Sequence, residues 1–343
     1  MKKLLNTVYV MTEGASLKKD GENLVAVLDG AEKVRVPLHM LASIVAFGPI
    51  FVSPGLIQAC AGAGITIALL DRVGRFQARI EGPVSGNVLL RRAQYRRSDK
   101  PESFVRGLLS GKIANQRTVL QRALRDRADM DSTSRTAIDA VVERLGLILR
   151  RVALGQDDLD MLRGYEGEAA NLYFSVFDRL IASDDPFLRF TGRSRRPPLD
   201  AVNGLLSFLY TLLTHECRSA AETVGLDPAV GFLHRDRPGR PSLALDLMEE
   251  LRPVFADRLA LALINRKQIQ AADFEARDGG AVYLNERGRK TVLSAWQERK
   301  KTERRHEFLD EAAPFGLIPY LQALLLARHL RGDLDAYPPW FWK

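Results

Sequence analysis

Over the first 80 or so residues apolar positions recur every second residue in short runs cut by turn residues, the pattern of half-buried strands. Thr7 to Met11 is a β-prone run. Leu24 to Leu28 ends at the turn pair Asp29-Gly30, and Val34-Arg35-Val36 resumes the alternation. Ser43 to Gly48 predicts another short strand, Ile65 to Leu70 a buried one, and Phe76 to Ile80 a last one after a turn at Gly74. Pro54 to Ala63 predicts a short helix, with Ser53 able to cap it, proline in its first turn, and Gly62 and Gly64 at its end.

Gly82-Pro83-Val84-Ser85-Gly86 has the composition of a linker. Beyond it the period lengthens to about 3.6. Helices are expected over 87–98, 101–128, 132–153, 157–182, 199–224, 242–270, 286–304 and 315–331, with a short strand or hairpin over 278–284. The pattern is that of an α+β protein: a small N-terminal β-rich domain over 1–85, then a larger all-α C-terminal domain over 86–343.

In the expected 157–182 helix the apolar stripe is Leu162, Tyr165, Ala169, Tyr173, Val176, Phe177 and Leu180. Glu166 projects within roughly 40° of the centre of that stripe, while Glu168 points to solvent. A carboxylate among apolar neighbours is costly unless a cation or hydrogen-bond donors meet it. It is either a ligand or catalytic group, or one half of an ion pair with an arginine such as Arg163 or one from another helix. Gly164 and Gly167 beside it would let other backbone approach.

A second candidate is the polar, Pro/Gly-rich loop Gly231 to Pro241, which carries His234. Ser242 can cap the helix that follows, whose core face is Leu243, Leu247, Leu251 and Val254. Asp246 and Glu249 share the opposite face, and Glu250 lies on the flank. The loop histidine and these acids can supply nitrogen and oxygen to one ion, or each can simply be solvated. If Glu166, His234 and Glu249 converge, two carboxylates and one imidazole suit Mn²⁺ or Mg²⁺ better than structural zinc. The other histidines lack comparable acids, although His306, inside a basic segment, could touch phosphate.

Charge adds a partner class. The net charge is +8, and the distribution is uneven: Arg91 to Arg127 holds eleven Lys/Arg against three acids, Glu286 to His306 eight against three, and Arg189 to Arg196 four arginines and no acid. Concentrated positive charge suits a phosphate backbone. Cys60 and Cys217 match no zinc or redox spacing and read as buried apolar side chains. The absence of a glycine-rich phosphate loop, a serine nucleophile elbow and a zinc-protease helix motif argues against an NTPase, a serine hydrolase and a zinc protease. No apolar run approaches the roughly 20 residues of a membrane span, and the first ten residues alternate too soon for a signal peptide, so a cytoplasmic chain is expected.

Arg163-Gly164-Tyr165-Glu166-Gly167-Glu168-Ala169-Ala170, followed by Tyr173-Phe174, resembles the first metal-ligand motif of the CRISPR-associated protein one family, the spacer-acquisition integrases. Arg196 to Asn203 with Leu206-Ser207 and Tyr210 is similar too, as are Gly225 to Pro228 leading into Gly231-Phe232-Leu233-His234, and Ser242 to Glu250. Four motifs in order, with the β domain before the α domain, carry the resemblance over essentially the whole chain. It implies Glu166, His234 and Glu249 as metal ligands, with Asp246 an accompanying acid behind them. It implies transesterification, in which the 3′-hydroxyl of a short DNA fragment joins a phosphodiester of the repeat array. It also implies a homodimer formed through the β domain, flanking the small CRISPR-associated protein two, and the Tyr337-Pro338-Pro339-Trp340 tail resembles the I-C branch. Arg235, Arg237, Arg240, Arg266 and Lys267 are the expected DNA contacts. The alternatives are a stand-alone metal-dependent nuclease and a non-catalytic DNA-binding scaffold.

Overall fold

A computed structural model of the chain describes residues 6–10, 12–72, 76–82, 88–194, 196–277 and 279–343. The expected turn at Gly74, the linker beyond Gly82, and Met11, Arg195 and Asp278 lie outside the described residues. The chain divides into two compact units, Met1–Ser85 and Gly86–Lys343.

The first unit holds β1 (Asn6–Val10), β2 (Ser16–Asp20), β3 (Asn23–Leu28), β4 (Ala31–Pro37), β5 (Leu41–Phe47), β6 (Phe51–Val52), α1 (Pro54–Ala63), β7 (Thr66–Leu70) and β8 (Phe76–Ile80). One sheet runs β1-β5-β7-β8 and the other β4-β3-β2-β6. β5 and β7 are parallel. A parallel pair needs a crossover, and α1 supplies it. Ser53 caps α1 by accepting from the Leu56 amide, and Gly64 ends it at φ 69°. Leu17, Leu24, Leu41, Ile44, Leu56 and Ile67 form the core of the unit. β2 carries no readable alternation because only Leu17 among its five residues is buried.

The second unit contains α2 (Val88–Ser98), α3 (Glu102–Asp126), α4 (Ser132–Leu154), α5 (Leu159–Ser175), α6 (Ala201–Thr223), α7 (Ser242–Glu249), α8 (Arg258–Asn265), α9 (Glu286–Lys301) and α10 (Ile318–Arg331). It also carries two antiparallel hairpins, β9 (Phe274–Ala276) with β10 (Val282–Leu284) and β11 (Glu303–His306) with β12 (Glu311–Pro314). The protein is α+β, a β-rich part followed by a mostly helical one.

Three helix boundaries differ from the periodicity. The expected 157–182 helix stops at Ser175, and Phe177–Leu180 follows as a 3-10 turn. The expected 242–270 helix is interrupted because Pro253 has no amide to donate to the carbonyl of Glu249, and Pro253–Asp257 winds as a π segment. The expected 286–304 helix stops at Lys301, and β11 then takes His306 into the interior. His306 is 1% exposed and hydrogen-bonded to Gln322, so it is no phosphate contact.

The end of the chain straps the back of α3. Trp340 and Trp342 are buried. The Asn115 side chain donates to the carbonyls of Glu250 (2.7 Å) and Trp340 (3.0 Å), and accepts from the Trp342 amide at 2.8 Å. Glu250 is not on a flank: it is fully buried and accepts from Gln322, Tyr337 and the Trp340 amide. A Cβ on Gly111 would stand 2.9 Å from Glu250 Oε2, so glycine lets α3 approach this closely.

Burial pushes the Glu250 carboxyl up to about 7 from an ordinary 4.5, against the three hydrogen bonds it accepts. The folded chain therefore holds this proton more tightly than the unfolded chain does. Its contribution is full below pH about 4.5 and is lost as pH rises through about 7. The shift corresponds to about 3 kcal/mol. Chemical denaturation at pH 5 and pH 8 should show the wild-type chain losing stability over this interval, and Glu250→Gln losing less.

Candidate active site

Glu166 comes from α5, His234 from the loop before α7, and Asp246 and Glu249 from α7 itself. The loop is built from its backbone outward. Asp246 Oδ2 accepts from the amides of Phe232 (2.6 Å) and Leu233 (3.1 Å), and its Oδ1 from the amide of His234 (3.0 Å). The same Oδ1 lies 2.6 Å from His234 Nδ1. One buried carboxylate thus folds the loop and aims the ring. With Nδ1–H donating to Asp246, the free lone pair of the imidazole is on Nε2, 3.8 Å from Glu249 Oε1.

Other contacts close the loop. Arg163 does not pair with Glu166; its guanidinium donates to the Leu233 carbonyl at 2.9 and 3.0 Å and ties the loop to α5. Gln94 braces the loop entry through Asp227 and Val230. Ser242 is the first residue of α7 rather than its cap, and its hydroxyl donates to the Arg235 carbonyl. A Cβ on Gly231 would meet Ser242 at 2.7 Å and the His234 carbonyl at 2.8 Å, so only glycine fits there. Gly164 and Gly167, by contrast, face open space, and no backbone approaches them.

Asp246 and Glu249 do share one face of α7, but that face is buried as deeply as the apolar one: their exposures are 0% and 1%. Glu249 therefore needs cations, and two meet it. Arg252 Nη1 stands 3.0 Å from Oε1, and Lys112 Nζ stands 2.7 Å from Oε2. Lys112 also pairs with Glu166 Oε1, so one ammonium joins the carboxylates of α5 and α7. Burial alone would raise the Glu249 carboxyl, but Arg252, Lys112 and the facing His234 outweigh it and hold the carboxyl below the ordinary range. Arg252 in turn lies over the Tyr210 ring at 4.9 Å, and the Tyr210 hydroxyl donates to Asp257 at 2.6 Å. Glu168, half-exposed, pairs with Arg144.

Lys112 and Arg252 escaped the sequence reading. The signal for Lys112 was present: on α3 it shares a stripe with Phe104, Leu108, Asn115 and Val119, all buried, as Glu166 does on α5. Among the expected DNA contacts, Arg235 and Arg237 are exposed on the outer part of the His234 loop, and Arg240 is half-buried. Arg235 lies 3.4 Å from Asp160. Arg266 and Lys267 are exposed beyond the end of α8.

The donors suit a hard divalent ion. Glu249 Oε2 is buried against the Lys112 ammonium, the two carboxylates point at that one cation, and the imidazole presents a free nitrogen beside them. Among the described residues no three His, Cys, Asp or Glu side chains are drawn together closely enough to coordinate an ion as they stand. The common point is held by the Lys112 ammonium.

The family described as CRISPR associated protein Cas1 matches residues 8–298 of the chain. The chain is 70% identical over 344 residues, all of both proteins, to CRISPR-associated endonuclease Cas1 2 of Rhodospirillum rubrum. Among solved structures it is similar to a chain of a Cas6-RT-Cas1–Cas2 complex (TM-score 0.83, 20% identity, 100% of this chain and 36% of that one). It is also similar to a casposase bound to its integration product (TM-score 0.81, 19% identity, 99% of this chain and 95% of that one).

Asp246→Asn should be destabilising, because an amide nitrogen would face donors that now meet a carboxylate. Urea denaturation should show a loss of about 2–4 kcal/mol. A loss below about 0.5 kcal/mol would mean that Asp246 does not hold the loop.

Proposed function

This chain belongs to the Cas1 family of CRISPR-associated endonucleases, and we propose that it is a metal-dependent DNA integrase that joins the 3′-hydroxyl of a short DNA fragment to a phosphodiester of the repeat array. One observation carries the reading: Glu166 and Glu249, 83 positions apart in the sequence, converge on a single cation beside His234 Nε2. Glu166, Glu249 and His234 would hold the divalent ion, Mg²⁺ or Mn²⁺. When bound, such an ion neutralises phosphate oxygens and makes a hydroxyl easier to ionise.

The chain's own residues do the rest. Asp246 fixes the imidazole so that Nε2 stays a donor atom. Arg252 neutralises part of Glu249, so that this buried carboxylate stays ionised beside Glu166. Arg235 and Arg237, on the solvent side of the His234 loop, would take the phosphate backbone, joined by Arg240, Arg266 and Lys267. In the joining step a P–O bond forms to the fragment's 3′-oxygen and the P–O bond to the repeat strand's 3′-oxygen breaks. The incoming hydroxyl gives up a proton and the departing oxygen gains one, so no nucleotide cofactor is consumed. Pairing of two copies through the β-rich unit, and assembly with the small CRISPR-associated protein two, complete the reading. Similarity to a chain of a Cas1–Cas2 complex supports that partner. No helix of the described residues is long and apolar enough to cross a membrane.

Purified protein incubated with a 3′-hydroxyl fragment, a supercoiled repeat plasmid and Mn²⁺ should yield joined product, and EDTA should abolish it. Glu166→Ala, His234→Ala and Glu249→Ala should each reduce joining by about a hundredfold or more while leaving DNA binding largely intact. Full joining by Glu166→Ala would end the assignment. Nicks without joining would favour the stand-alone nuclease. Salt-sensitive binding with no response to Mn²⁺ or EDTA would favour the scaffold.

A further inference from the structure

Lys112 occupies the place where Glu166 and Glu249 meet. Its side chain is 5% exposed, against 29% for Glu166 and 2% for Glu249. The ammonium is not a surface charge that drifted inward. It projects from the core face of a 25-residue helix, on the same stripe as Phe104 and Val119.

Glu166 and Glu249 share the Lys112 ammonium, and Arg252 meets Glu249 from the other side, while Asp246 is satisfied by the His234 ring and the loop amides. A hard divalent ion takes carboxylate oxygens at about 2.1 Å. Lys112 Nζ already stands 2.7 Å from Glu249 Oε2 and in contact with Glu166 Oε1. Both cannot hold those two oxygens at once.

We infer that Lys112 is an internal stand-in for the divalent ion: it keeps the Glu166 and Glu249 carboxylates paired until the ion binds and competes with the ion for them. This rests on the metal reading above. Lys112 is thus a positioning residue that sets how tightly the ion binds before DNA arrives. Its aliphatic arm, anchored on α3, lets the ammonium move aside without unfolding the helix. Removing it leaves Glu249 with Arg252 alone and Glu166 without its ammonium, a deficit of positive charge that the ion can fill. A lysine serving only to brace α3 against α5 and α7 makes the opposite prediction. Its loss would let the carboxylates splay apart and would weaken ion binding.

The test is calorimetric titration of Mn²⁺ into the full-length, EDTA-treated, DNA-free protein, for wild type, Lys112→Met and Lys112→Gln, with melting temperatures recorded with and without Mn²⁺. Both variants should bind Mn²⁺ about tenfold tighter or more, since one competing charge within 4 Å has gone. They should melt below wild type in EDTA and gain more than wild type does from Mn²⁺. Variants that fold only with Mn²⁺ present would also support the stand-in. Affinity equal to or weaker than wild type in both variants, or failure of both to fold even with Mn²⁺, would overturn it. Glu249→Ala separates the two readings. If wild type and Glu249→Ala bind Mn²⁺ alike and the Lys112 variants gain nothing, the metal reading itself fails.

Discussion

An ionised carboxylate placed as deeply as Glu249 demands counter-charge, and the helical unit is organised around supplying it. Water cannot reach this group, so protein cations and dipoles must replace its hydration. Arg252 comes from three residues further along the chain and Lys112 from α3, while the His234 ring faces the carboxylate from the loop in front of α7. Each of these must be held by something else in turn. Asp246 holds the loop, Arg163 ties it to α5, and Tyr210 supports the Arg252 guanidinium from beneath. The requirement of one buried charge thus fixes the relative positions of α3, α5, α6 and α7.

The chain terminus belongs to the same arrangement. Glu250, the next residue after Glu249, points the other way and is capped by Gln322, Tyr337 and the Trp340 amide. Asn115, three residues along α3 from Lys112, locks the Trp340–Trp342 segment to the Glu250 carbonyl. Two adjacent acids therefore serve opposite ends of one wall. Glu249 faces cations and stays charged, while Glu250 faces hydrogen-bond donors and favours its proton. Pro253, by withholding an amide from the carbonyl of Glu249, ends α7 just where this division of directions is needed.

Most helices were legible because their stripes are long, and most β-rich elements because turn residues punctuate them. Glu166 was legible for a different reason: an acid in an apolar stripe is a local contradiction that a helical wheel exposes. The same contradiction at Lys112 went unread, since a lysine's long stem is easily assumed to reach solvent. Glu249 and Asp246 were placed on the polar face of α7 correctly, but a single helix cannot report that its polar face is covered by other elements. An arginine, Arg163 or one from another helix, is the partner the sequence suggests for Glu166; the fold instead brings a lysine 54 residues away. Sequence distance ranks local pairs first, and tertiary packing does not. The β11 and β12 hairpin was missed because Glu303 to His306 carries basic residues that continue the charge pattern of α9 rather than a two-residue alternation.

A charged cluster of this kind is a poor way to make a protein stable. Desolvating an ion costs several kcal/mol, and replacing a buried ion pair by well-packed apolar side chains of similar volume is often neutral or stabilising. Leucine at 112 and apolar residues at 166 and 249 would satisfy the packing of α3 against α5 and α7 without any of these costs. Stability therefore does not account for the cluster, and neither does solubility, since Lys112 and Glu249 are hidden from solvent. What such a cluster does provide is a preorganised field: ionised oxygens and a free imidazole nitrogen held in a water-poor space, where their attraction for a cation is several times what it would be at the surface. The energetic burden of the site is thus itself an argument for chemistry there, and it falls on the residues that converge beside His234.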